Sequence, residues 1–103
     1  NAYAIVNPKQ HDCEFPFKEF ATVGLVAKVH HALEGKIKKD YLDFVALGTI
    51  ADIVPLNGEN RILTKVGLPL VNKTKNLGLK ALLKVAKVDK TSSQFNINWI
   101  LFD

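Results

Sequence analysis

A single cysteine, Cys13, stands among 103 residues, so no internal disulfide can staple the chain. One thiol suits a reducing, cytoplasmic setting better than a secreted one. Long apolar runs are also missing. A membrane-spanning helix needs roughly 20 consecutive apolar residues, and Lys28, His30, Gly48 and Asp52 interrupt the longest stretches well short of that. The chain does not open on a charged segment followed by an apolar core, as a secretory leader does. A soluble protein without a membrane partner is therefore expected. Without a secretion signal, the glycosylation-type triplet Asn72-Lys73-Thr74 is read as idle. There is no Gly-x-Ser-x-Gly elbow and no glycine loop able to cradle phosphates, which leaves serine-hydrolase and nucleotide-triphosphatase chemistry without support. Repeats and low-complexity segments are absent as well.

What is present is enough for a core: 48% of the residues are hydrophobic. The length fits one small domain or part of a larger one. Fourteen basic against ten acidic residues give a formal charge of +4. That suits a nucleic-acid partner, since each neutralised phosphate releases counterions, but ordinary domains are often as basic. Asn1-Ala2 can be read as a tag remnant, and Trp99-Ile100-Leu101-Phe102-Asp103 stops within an apolar pattern. Both ends suggest a piece cut from a longer protein.

Tyr3 to Val6 is a short apolar run stopped by Asn7-Pro8, the pattern of a buried strand leaving a sheet. Lys9 to Pro16 reads as a loop. From Phe17 a helical stripe runs through Phe20, Ala21, Gly24, Ala27 and His31. Val23, Val26, His30 and Leu33 widen it, which predicts a helix buried over much of its circumference and stopped at Gly35. Asp40 is placed to cap a second helix carrying Leu42, Val45, Ala46 and Thr49, with Pro55 ending it. Asn57-Gly58 marks a turn. A third helix from about Glu59 would bury Ile62, Leu63, Val66 and Leu70, with a kink or break at Pro69. A fourth, begun after Gly78, carries Leu79, Leu82, Leu83 and Ala86, and Thr91 or Ser92 caps a fifth. One strand and about five helices indicate a mostly helical part of an α/β layer fold.

His30-His31 invites a metal reading, but adjacent helical residues project about 100° apart, whereas helical zinc ligands stand four apart. His11 and Cys13 make no tetrahedral site alone. Lys73, Lys80, Lys84, Lys87 and Lys90 recur near helical spacing: a solvated face, or contacts to phosphates, with no nucleic-acid contact assigned. Asp52 is the unusual residue, the only charge in the apolar run Ala46 to Leu56. A buried lone carboxylate needs a cation, hydrogen bonds or a metal. Pairing with Arg61 or Lys28, bonding to backbone amides and metal ligation are all open on the residues alone.

Ala46-Leu47-Gly48-Thr49-Ile50-Ala51-Asp52-Ile53-Val54-Pro55-Leu56, followed by Gly58-Glu59-Asn60-Arg61, resembles the fourth motif of the RecJ branch of the DHH phosphoesterase superfamily. Ile5-Val6-Asn7-Pro8-Lys9-Gln10, Asp12-Cys13, Phe15-Pro16-Phe17-Lys18-Glu19 and Val23-Gly24 with Lys28 resemble the same branch, in order, over nearly the whole chain. Thr22, Ala27 and Pro69 depart from its usual pattern at positions that concern packing.

The resemblance implies that residues 1–103 are the C-terminal part of a DHH-type α/β domain. It implies degradation of single-stranded DNA from the 5′ end in repair and recombination, by two-metal phosphodiester hydrolysis with manganese or magnesium. Asp52 would be one metal ligand and Thr49 would brace the helix end behind it. The remaining ligands belong to motifs expected before Asn1, so the fragment alone would be inactive, and its exposed apolar faces would favour self-association. Two alternatives stand beside this: another DHH phosphoesterase acting on short oligoribonucleotides, and a non-catalytic module binding nucleic acid or protein.

Overall fold

Helical spacing of apolar residues becomes four helices in the computed structural model, which describes residues 1–86. They are α1 (Thr22–Glu34), α2 (Lys39–Ala51), α3 (Gly58–Val71) and α4 (Leu77–Val85). None is long and apolar enough to cross a membrane. The expected fifth helix, with Lys87 and Lys90, lies outside the described residues.

Helix α2 is the centre. Its Leu42, Val45, Ala46 and Thr49 are buried, as the spacing predicts, and Ile50 joins them. Leu42 and Val45 join Ala27 of α1 and Leu63 of α3 in one cluster, flanked by Phe20, Val23, Ile37 and Leu70. A second cluster, Val71 with Leu79 and Leu83, seats α4 on the end of α3. The helices approach closely because two contact positions carry glycine. A Cβ on Gly48 would lie 2.6 Å from Val23 Cγ1, and one on Gly67 would collide with the Leu42 carbonyl.

Several boundaries differ from the sequence reading. Tyr3 to Val6 is no buried strand: it is irregular and exposed, and no strand occurs among the described residues. A strand needs a neighbour to satisfy its amides and carbonyls, and no described segment provides one. Phe17 to Ala21 is not helical. Phe17 instead packs edge-on against Phe20, ring centroids 4.8 Å apart, and its ring lies against Gly58 at the start of α3, a tertiary contact that takes it off the helical stripe. Helix α1 is less buried than predicted, with only Gly24 and Ala27 inside and Leu33 80% exposed. Gly35 does end it, in the left-handed conformation.

Asp40 lies in the first turn of α2, behind an extended Lys38 that makes no side-chain cap. Helix α3 continues through Pro69 to Val71, so the proline shows itself two residues before a natural end. Helix α4 begins before Gly78 because the Asn76 side chain accepts the Leu79 amide at 2.9 Å, satisfying a donor that has no helical partner.

Helix α2 ends at Ala51, four residues ahead of Pro55. Asp52 is its last half-turn, and Ile53 follows with φ +56°. A β-branched residue in that conformation is strained. Ile53 is 77% exposed, so little burial is lost on removing its side chain. Ile53→Gly is therefore expected to raise the free energy of unfolding by about 1 kcal/mol. Urea unfolding of the chain checks this, and a lower midpoint would mean that Ile53 packs more than it strains.

Candidate functional site

The end of α2 and the start of α1 lie side by side. A shallow recess between them is lined by Ala21, Thr22 and Val23 on one wall and by Gly48, Ala51 and Asp52 on the other. The close contact of Gly48 with Val23 forms its floor.

Asp52 is exposed, which corrects the reading of a buried lone carboxylate. The helix ends one residue earlier, so the side chain escapes the apolar face that the surrounding run occupies. Its amide donates to the Gly48 carbonyl at 3.0 Å. The carboxylate makes no hydrogen bond or ion pair among the described residues; Lys28, one of the partners considered, is engaged by Glu59 at 3.0 Å. A carboxylate at the C-terminus of its own helix adds to the negative end of the helix dipole. That arrangement attracts a cation.

Thr49 is fully buried, and its hydroxyl donates to the Val45 carbonyl at 2.6 Å. It thus ties into its own helix one turn back. The other sequence candidates lie elsewhere. His30 packs its ring edge-on against Tyr41, centroids 5.4 Å apart, beside an apolar groove formed with Val26, Ile37 and Phe44. His31 is exposed, and its carbonyl accepts the Gly35 amide. The Cys13 carbonyl accepts from the Lys18 ammonium. Lys73, Lys80 and Lys84 are exposed. Among the described residues no group of three His, Cys, Asp or Glu side chains is gathered closely enough to hold a metal. Asp52 is thus a single oxygen donor, which fits one ligand of a shared site and not a complete one.

The sequence reading passed over most of the buried polar residues, Asp43 and Asn60 among them. Asp43, 4% exposed, accepts the Thr74 hydroxyl at 2.6 Å and fastens the α3–α4 connection to α2. Thr74 in turn accepts the Asn76 amide at 3.2 Å. Asn60, wholly buried, donates its side-chain amide to the Glu19 and Pro55 carbonyls at 2.6 and 3.0 Å. The signal for Asn60 was its spacing: it shares a stripe with Leu63, Gly67 and Val71, where a polar residue must find partners.

Comparison with known proteins gives a consistent result. The chain is similar to the single-stranded-DNA-specific exonuclease RecJ of Bacillus subtilis, 50% identical over 86 residues, covering 84% of this chain and 11% of that protein. It is 40% identical over 105 residues to the exonuclease of the same name from Salmonella typhimurium, covering 86% of this chain and 18% of that protein. The Escherichia coli protein is 40% identical over 104 residues, with 85% and 18% covered. The chain therefore spans between 11% and 18% of the length of these relatives. No family model matches the chain, and no solved structure does.

Proposed function

We propose, from the homology of this chain to a segment of the RecJ single-stranded-DNA-specific exonucleases, that it is the Asp52-bearing part of a longer nuclease of that kind. The full-length protein would remove nucleotides from the 5′ end of single-stranded DNA with manganese or magnesium, in the cytoplasm, during repair and recombination. Residues 1–103 would complete a DHH-type α/β domain and would not cleave alone.

The observation that carries this reading is the unpaired Asp52 carboxylate at the negative end of α2, open to a recess. Hard divalent cations prefer such oxygen donors. When bound, they supply an activated water and stabilise charge on the oxygens of the phosphodiester. The chain's own part is to hold Asp52 still. Thr49 ties the last turn of α2 to Val45, and the Asp52 amide stays in the helical hydrogen-bond pattern through Gly48, so the carboxylate starts from a rigid helix end.

The test is a cleavage assay of the full-length protein with single strands labelled at either end, duplex DNA and dinucleotides, with manganese or with chelator. Single strands should shorten from the 5′ end only with the metal, while duplex and dinucleotides persist. Preferred turnover of dinucleotides would favour the oligoribonucleotide phosphoesterase reading, and binding without cleavage the non-catalytic one.

A further inference from the structure

We infer that Asn60 is a positioning residue for Asp52, an inference that rests on the metal-ligand reading above. One primary amide joins the two chain segments that frame the recess. Its nitrogen donates to the carbonyl of Glu19, three residues before Thr22 enters the first turn of α1. The same nitrogen donates to the carbonyl of Pro55, three residues after Asp52 leaves α2. Thr22 and Asp52 stand on opposite walls of the recess. Beside the Gly48–Val23 contact, the two segments that carry those walls are thus joined through one buried side chain anchored in α3.

The chemistry leaves little choice of residue. Two carbonyl oxygens must be satisfied from one point, which needs two N–H donors on a short stem; an ionised aspartate has none, and a serine or threonine has one. Reversing the amide would set its oxygen against both carbonyls, so the orientation follows from the partners. The side chain is wholly buried and its oxygen has no partner among the described residues, so every hydrogen bond it makes is one of these two ties from its nitrogen. Glu59 ties α3 to α1 as well, through Lys28, but that pair is partly exposed and solvent weakens it. The strained φ of Ile53 lies in the segment that Asn60 holds, between Asp52 and Pro55. A sparsely populated backbone conformation persists only where its surroundings enforce it, and the Pro55 tie is such an enforcement.

The experiment uses the full-length protein, with free manganese measured by electron paramagnetic resonance during titration. Circular dichroism and single-strand binding report whether the fold survives. Asn60→Ala should weaken manganese binding by about 10- to 100-fold, as the loss of a residue supporting a ligand does, with single-strand binding retained. Asp52→Ala is measured beside it. If Asp52→Ala weakens manganese binding and a folded Asn60→Ala does not, the positioning role is overturned while the ligand assignment stands. If Asp52→Ala leaves the affinity unchanged, the ligand assignment falls and the positioning role with it. Should Asn60→Ala fail to fold, the unaltered protein decides: the Asn60 side-chain amide protons should exchange with solvent more slowly than those of exposed Asn57, and equal rates would overturn the inference.

Discussion

If Asp52 ligates a catalytic metal as proposed, Asp52→Ala in the full-length protein is expected to lower single-strand cleavage by at least about 100-fold, since a metal ligand supports several kcal/mol of transition-state stabilisation. The fold should not suffer. Asp52 is exposed and its carboxylate has no partner among the described residues, so the loss in stability should stay within about 0.5 kcal/mol. The helix end could even gain slightly, because a negative charge leaves the negative end of the α2 dipole. Single-strand binding should remain, since affinity for nucleic acid comes largely from neutralising phosphates, which a carboxylate does not do. Asp52→Asn adds a sharper test: it preserves the shape of the side chain and removes only its charge, and should be nearly as inactive. Single-turnover cleavage with saturating protein, beside a binding titration, measures both. Cleavage within a few-fold of the unaltered protein would remove Asp52 from the metal site.

Gly67→Ala is expected to destabilise the chain by about 3 kcal/mol, near the upper end for overpacking a well-filled contact. Two effects compete. In a solvent-facing helix, alanine would be favoured over glycine by about 1 kcal/mol. Here the added Cβ would fall on the Leu42 carbonyl and 2.8 Å from the Ala46 Cβ. These are backbone and a first side-chain carbon, so neither can rotate away. Relief requires α2 and α3 to separate, opening the cluster of Leu42, Val45 and Leu63. The steric effect wins. Thermal unfolding should shift down by roughly 12 °C or more, on the 4–8 °C per kcal/mol typical of a small domain. A midpoint at or above that of the unaltered chain would show that the helices are not held at this distance.

The same glycine explains why part of the fold was hidden from the sequence. The spacing picked Ile62, Leu63, Val66 and Leu70 as the buried face of α3, because these are its large apolar residues. In the structure Ile62 and Val66 are exposed, while Asn60, Leu63, Thr64, Gly67 and Val71 are buried. The helix is turned so that its smallest residue meets α2. A hydrophobic stripe records which residues prefer burial, but closest approach is governed by which ones leave room. Helix α2 raised less conflict: the four positions picked there, Leu42, Val45, Ala46 and Thr49, are all buried, and the face is completed by Ile50 and by the polar Asp43, which the apolar pattern did not pick.

Asp52 shows the division most clearly. Its identity within Gly48-Thr49-Ile50-Ala51-Asp52, and with it the kinship to the exonucleases, belongs to the linear order of residues and was legible there. So were the four helices and the stop at Gly35, because local backbone preference and apolar period act over a few neighbouring residues. The exposure of Asp52, the strained Ile53 behind it, and the ties from Asn60 and Asp43 were decided only by tertiary structure. Each depends on where carbonyls and helix ends distant in sequence come to lie, Asn60 reaching back 41 residues to Glu19 and Asp43 forward 31 to Thr74. Spacing along a chain contains no distance between such points until the helices have packed.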